Sequence, residues 1–314
     1  MLTYIARRVV SIGTILVVLS VLIFAITQIL PGNVARVIAG QFATPDMVAA
    51  IEAKLGLHDP FYVQYGRWAA GILQGDLGNS LIMERPIGPV LSEALYNSAL
   101  LAVTAFVMVT ILGIGLGVLS AIRQNGPLDH GVSMFTFLGI SVPEFFWGIV
   151  FILVFSRWLG WLPAGGIPDA GAGFATIASH VILPSITLAF ALVAHVSRMT
   201  RSSMVDALRS QYVRFARAKG LSEQTVIWRH ALPNALLPTI TVLAIDVGWL
   251  IGGVVVTETV FAYPGLGRAL IFAIERHDLP MIQASTLVIA AIYCCANLVA
   301  DLLYAFFNPK IRYG

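Results

Sequence analysis

The stretch that decides the fold is Ser98–Ile122, SALLAVTAFVMVTILGIGLGVLSAI, which runs without one charged side chain. A helix needs about 20 mostly apolar residues to cross the hydrocarbon core of a bilayer. Working outward, five further segments meet the same requirement: Val9–Leu30, Gly131–Phe155, Ala178–Arg198, Leu236–Thr257 and Ile282–Phe307. Gly165–Gly173 is too rich in glycine and proline to span and reads as a loop. Composition agrees with the segments. Hydrophobic residues make up 58% of the chain and charged residues 11%, with a mean hydropathy of +0.86. A soluble domain carries about a quarter charged residues, so much of this surface must face lipid. The expected fold is an all-α polytopic membrane protein with six transmembrane helices.

Arg7-Arg8 ahead of an apolar stretch could suggest a signal peptide. The apolar core is longer than the usual 7–15 residues or so, and no small-x-small cleavage site follows it, so the segment reads as an uncleaved helix. A net charge of +3 and a pI of 9.0 do not indicate nucleic acid, because the basic residues are scattered between apolar runs, as a membrane topology requires. Cys294 and Cys295 are adjacent inside an apolar run and read as small core hydrophobes. The histidines 58, 130, 180, 195, 230 and 277 show no paired metal spacing. No metal site is expected.

Lysine and arginine set the orientation. With the N-terminus inside, Arg7, Arg8, Arg123, Arg198, Arg201, Arg209, Arg214, Arg217, Lys219, Arg229, Lys310 and Arg312 lie inside. That is twelve of the nineteen basic residues. The other seven, Arg36, Lys54, Arg67, Arg85, Arg157, Arg268 and Arg276, lie outside. Long loops count weakly, so the dense Arg198–Arg229 segment decides the matter. The expected order is a cytoplasmic N-terminus (1–8), TM1 (9–30), an extracytoplasmic segment (31–97), TM2 (98–122), TM3 (131–155) and TM4 (178–198). A cytoplasmic loop (199–235), TM5 (236–257), an extracytoplasmic loop (258–281), TM6 (282–307) and a cytoplasmic tail (308–314) complete it. Residues 98–307 form the core domain. The long outer segment, with helical spacing near Pro45–Leu57, is expected to be a small cap or docking surface.

The inner loop is short, basic and patterned: Ser210–Pro233 reads SQYVRFARAKGLSEQTVIWRHALP. Helix formers run to Lys219, with Tyr212, Phe215 and Ala216 expected on one face. Gly220 stops that helix. Ser222 can cap a second one with Glu223 in its first turn, and Val226, Ile227 and Ala231 supply an apolar stripe ahead of Pro233. The result is a helix–glycine–helix elbow. It serves either as a positively charged loop that sets topology or as a knob that inserts into a soluble partner.

Ala216-Arg217-Ala218-Lys219-Gly220-Leu221 with Leu232-Pro233 resembles the EAA loop of permeases in ATP-binding-cassette importers. The nearest resemblance is to the first-permease branch of the dipeptide/oligopeptide/nickel permease family, and it covers nearly the whole chain. Leu30-Pro31-Gly32, Leu55-Gly56-Leu57, Gln64-Tyr65 and Gly75-Asp76-Leu77-Gly78 carry it in the first third. Ser141-Val142-Pro143-Glu144-Phe145 and Trp161-Leu162-Pro163-Ala164 carry it in the middle. Glu258-Thr259-Val260-Phe261, Tyr263-Pro264-Gly265-Leu266-Gly267 and the tail Asn308-Pro309-Lys310-Ile311-Arg312-Tyr313 complete it. Each motif is weak by itself; their common order makes the resemblance specific. The chain departs from the general pattern at Arg214-Phe215, where that pattern has Glu-Ala, at His230 in place of Ile, and at Asn308 in place of Asp.

The resemblance implies a type I ABC importer permease in the bacterial inner membrane. A homologous second permease, two cytoplasmic ABC ATPase subunits and an extracytoplasmic solute-binding protein are its implied partners, with the lipid bilayer as solvent. Tyr212, Phe215 and the stretch to Pro233 are implied to seat in a groove on one ATPase. ATP and magnesium belong to those subunits, and this chain is expected to bind no cofactor. Di- or oligopeptides are the implied cargo, with nickel chelates, opines, glutathione and oligosaccharides as alternatives.

Ionisable residues inside spans suggest function by default. Asp246, midway along TM5, lines a polar path, pairs with the partner permease, or serves as a hydrogen-bonded structural carboxylate. Glu144, after Pro143 in TM3, either satisfies backbone groups freed by a kink or contributes to the path or an interhelix contact. His195 and Asp301 read as interfacial. Gly113, Gly115 and Gly117, and Gly248 and Gly252, have spacing that lets helices approach closely.

Other classes fit less well. No GxxxxGK[ST] loop is present, so ATP must be hydrolysed elsewhere and no catalytic residue is expected. A secondary transporter would show repeats with broken helices at matching positions. An intramembrane enzyme would need a nucleophile–base pair within the spans. A channel leaves the basic elbow unexplained.

Overall fold

The computed structural model describes residues 2–29, 44–55, 58–168 and 171–307. Leu30-Pro31-Gly32, Gly56-Leu57 and the tail from Asn308 lie outside the described residues. The described elements are helices α1 (Leu2–Ile29), α2 (Pro45–Leu55), α3 (Phe61–Leu73) and α4 (Ile87–Met108). A π-turn at Val109–Gly113 leads into α5 (Ile114–Ile122), followed by α6 (Pro127–Ser141) and α7 (Glu144–Phe151), whose end widens at Ile152–Trp158. After α8 (Phe174–Arg209) come α9 (Gln211–Ala218), α10 (Glu223–Thr225) and a wide turn at Val226–Ala231. The chain continues through α11 (Leu232–Val260), α12 (Leu266–Glu275) and α13 (Leu279–Phe307).

Five of the described helical stretches are long and apolar enough to cross a bilayer: Ala6–Ile26, Ile87–Ile122, Phe174–Arg209, Glu223–Val260 and Leu279–Leu302. The pair α6–α7 makes up to six if taken as one span. The expected TM3 over 131–155, a single span kinked at Pro143, is here two helices, because α6 and α7 are bent by 110° at Val142-Pro143. Proline has no N–H and drives the residue before it out of the helical region; Val142 accordingly sits at φ −114°, ψ 133°.

The chain divides into two compact units, Met1–Tyr96 with Gly265–Cys294, and Asn97–Pro264 with Cys295–Gly314. In the first, Phe24 of α1 is buried against Phe61, Tyr65 and Trp68 of α3 at centroid distances of 5.3, 5.6 and 5.4 Å. Ser20 and Tyr65 share a hydrogen bond of 2.8 Å. Ile87, Leu91, Ala94, Leu266, Ala273, Met281 and Ala284 form this unit's core. Beside it the buried carboxylate of Asp278 accepts from Ser80 Oγ at 2.5 Å and caps α13 through Met281 N–H at 3.3 Å. The expected helix near Pro45–Leu57 is α2.

In the second unit α8 is the central helix, packed against α5, α6, α7 and α11. Small residues set that approach. A Cβ on Gly117 would stand 2.6 Å from Ser197 O and 2.5 Å from Thr200 Cβ, and one on Gly113 would stand 2.7 Å from Val196. Side chains this short let dispersion contacts form between backbones where lipid supplies no hydrophobic drive. Gly115 and Gly252, by contrast, meet nothing within 4 Å. Leu101, Val109, Leu183, Leu188, Val196, Phe261 and Tyr263 belong to the core formed around α8. The Trp161–Gly166 segment reaches it as well, since Gly166 N–H donates to Phe261 O at 2.9 Å.

Candidate functional site

The elbow after α8 is built from a buried base and an exposed crown. Val213, Ala216, Val226 and Ala231 are buried together with Ala121, Met204, Val205, Ala207 and Ala235. This corrects the face expected for α9. Ala216 does point inward, but its companion is Val213, three residues back on the same face, whereas Tyr212 and Phe215 are exposed. Phe215 at 68% exposure and Trp228 at 61%, with Tyr212 and Leu221, put an aromatic and apolar crown on the elbow. Arg217, Ala218, Lys219 and Pro233 are exposed as well, and Leu232 is half-buried.

Local chemistry explains the turn. Gly220 has φ +77° and its N–H donates to Arg217 O at 2.9 Å, a left-handed helix end that other residues adopt at a cost. Ser222 Oγ accepts from Thr225 N–H at 3.4 Å, and Arg217 grips Glu223 through Nε at 2.6 Å and Nη2 at 3.2 Å. Pro233 falls in the first turn of α11, where a missing N–H is tolerated.

A second polar cluster lies at the head of α6. Asp129 accepts a bidentate pair from Arg201, Nε to Oδ1 and Nη2 to Oδ2, both at 2.6 Å. It also accepts from Asn125 N–H at 2.9 Å and from Ser120 Oγ. The ends of α5, α6 and α8 are thereby tied to one carboxylate. Sequence reasoning missed Asp129 altogether and read Arg201 only as a topology charge. The available signal was Pro127 at a helix start with an acid two residues on, but nothing local names Arg201 as the partner.

Within the spans, Thr257 Oγ1 of α11 donates to Glu144 Oε1 of α7, so the carboxylate bonds a neighbouring helix rather than backbone freed at the break. Asp246 is buried in α11. Its Oδ1 lies 3.1 Å from His195 Nδ1 of α8, and its Oδ2 has no hydrogen-bond partner among the described residues. Further along the same two helices, Thr200 and Thr239 share a bond of 3.2 Å. The link between His195 and Asp246 was invisible to sequence reasoning, as was the burial of Glu258, whose carboxylate receives Ser98 Oγ at 2.5 Å. Asp301 is half-buried in α13. Among the described residues no group of three metal-binding side chains gathers.

Two family profiles match the chain. "Binding-protein-dependent transport system inner membrane component" covers residues 113–313, and the corresponding N-terminal profile covers residues 1–98. Among curated relatives, the chain is 39% identical over 310 residues to a probable peptide ABC transporter permease of Sinorhizobium fredii, covering 99% of each chain. It is 38% identical to the dipeptide transport system permease DppB of Alkalihalophilus pseudofirmus and 38% identical to the glutathione transport system permease GsiC of Salmonella paratyphi A, covering 100% of each chain. A crystal structure of an amino acid ABC transporter with histidines shares the fold, with a TM-score of 0.51 and 18% identity over 71% of this chain and 94% of that one. The chain therefore belongs to the family of binding-protein-dependent transport system inner membrane components, the non-catalytic permeases of ABC transporters.

Proposed function

We propose that this chain is one of two homologous permease subunits of a bacterial inner-membrane ABC importer. Its cargo is short peptides, released to it by an extracytoplasmic solute-binding protein. Two separate cytoplasmic ATPase subunits bind ATP and magnesium and drive the cycle. Both termini and the 199–235 loop face the cytoplasm, residues 31–97 and 258–281 face outward, and α6–α7 counts as one broken span of six. The relatives' peptide, dipeptide and glutathione permeases support the cargo class, glutathione being itself a small peptide.

The observation that carries the coupling role is the elbow's architecture. Its base is locked to α8 and α11 by buried side chains, while Tyr212, Phe215, Leu221 and Trp228 stand free of the core. A rigid base under an exposed aromatic crown transmits a push instead of absorbing it. Gly220→Val tests this in the assembled transporter reconstituted in vesicles. The β-branched side chain at φ +77° strains the turn by about 1–2 kcal/mol, enough to shift a docking equilibrium roughly tenfold. Uptake is expected to fall while the subunit stays inserted and ATP is still hydrolysed; unchanged uptake per ATP rejects the role.

A further inference from the structure

Helix α6 has 15 residues, and α7 with its widened end has 8 and 7. At about 1.5 Å per residue each half is about 22 Å long, short of the roughly 30 Å hydrocarbon core. Neither half crosses alone, so with α6–α7 taken as one broken span the corner Ser141–Glu144 lies within the thickness of the bilayer. The break leaves the last carbonyls of α6 without helical partners. Non-helical backbone at that depth persists only where protein buries it or water lines it. Ser141, Pro143, Phe145 and Phe146 are all exposed, so this chain does not bury the corner itself.

The carboxylate at the corner is held in a particular way. Glu144 Oε1 accepts from Thr257, while Oε2 accepts no hydrogen bond from the described residues. Opposite it stands Gly253, where a Cβ would come within 2.8 Å of Oε2 and 2.8 Å of Leu188. Thus α11 both anchors the carboxylate and leaves it room. A half-buried carboxylate whose open side faces lipid is costly, whereas one lining a wet cavity is not.

We propose that the Ser141–Glu144 corner lines the water-filled passage of the assembled transporter and that Glu144 is its cation-recognising group, receiving the α-ammonium of a peptide in transit. The cargo half of this assignment rests on the peptide-import reading above, and the depth of the corner rests on α6–α7 being one broken span; the charge of Glu144 rests on neither.

The test uses the assembled transporter in vesicles with Cys294→Ala and Cys295→Ala, which remove this chain's native thiols, and with Ser141→Cys added, labelling being read on this chain after the subunits are separated. A cationic and an anionic methanethiosulfonate of similar size are applied, and each rate is divided by its rate with a free thiol. Both reagents are expected to react, the cation about tenfold faster, as for a carboxylate acting through partly screened water. Glu144→Gln should abolish the preference without blocking reaction. No reaction with either reagent would show a corner sealed in lipid or against the second permease, and overturns the proposal. A preference that survives Glu144→Gln overturns the role of Glu144. In a protection arm, excess dialanine should slow the cationic reagent while N-acetyl-dialanine does not; protection by both or by neither overturns the α-ammonium assignment. Should the unmodified transporter import no peptide, the peptide-import reading fails while a charge preference at Ser141→Cys still stands.

Discussion

The elbow and the head of α6 each hold an arginine against a carboxylate at 2.6 Å, and they differ in what surrounds the pair. Arg217 and Glu223 are 43% and 62% exposed, whereas Arg201 and Asp129 are 29% and 3% exposed. An exposed pair exchanges one set of well-solvated contacts for another and contributes little. A buried carboxylate has lost its water, and its remaining lone pairs must be met by protein. Ser120 and Asn125 N–H meet those of Asp129. The same bond is thus a local trim on the elbow and a brace between helices at α6. Geometry alone would have ranked the two equal.

Breaking the buried pair from both sides and the exposed pair from its acid sharpens that contrast. Arg201→Met should have the largest effect, about 3–5 kcal/mol of lost stability, because it strands a buried carboxylate; thermal unfolding of the purified protein in detergent reads it. Asp129→Asn should cost less, about 2 kcal/mol, since the amide oxygen still accepts a hydrogen bond and Arg201 keeps partial access to water. If Asp129→Asn proves as damaging as Arg201→Met, burial is not what separates the two ends of the pair. Glu223→Gln should be the mildest, below about 1 kcal/mol, and its difference from the unmodified protein should shrink at high salt. A loss there comparable to Arg201→Met would erase the distinction between the two regions. Gly220→Val probes the elbow differently, through turn geometry and coupling instead of charge.

Much of the elbow was legible in the sequence because its determinants are local. Gly220, Ser222 and Glu223 act on their own neighbours within a few residues, and the structure places each of them where helix-end chemistry puts it. The inward face of α9 was misjudged because periodicity identifies an apolar face without telling which face the rest of the chain will cover. Val213 and Ala216 won because Met204, Val205 and Val226 pack there, which leaves the larger Tyr212 and Phe215 outside. The bend at Pro143 was half legible: proline predicted a kink, but an angle of 110° depends on how Gly139 and Gly148 meet Ala194, Phe190 and Val260. The intramembrane pairs were legible only as isolated charges. His195 with Asp246 and Glu144 with Thr257 join residues 51 and 113 positions apart, and no local rule spans that distance.

By itself, the sequence determined that this is a helical membrane protein, because water and lipid act on each segment independently and apolar length suffices to sort them. It also determined the elbow's turn and helix cap, because capping and left-handed turns are settled within a few residues. Only the tertiary structure decided which carboxylates are braced, which lie half-satisfied, and which arginine matters. Those outcomes depend on the burial that distant helices impose on one another, and burial is what converts an identical 2.6 Å contact from a weak interaction into a strong one.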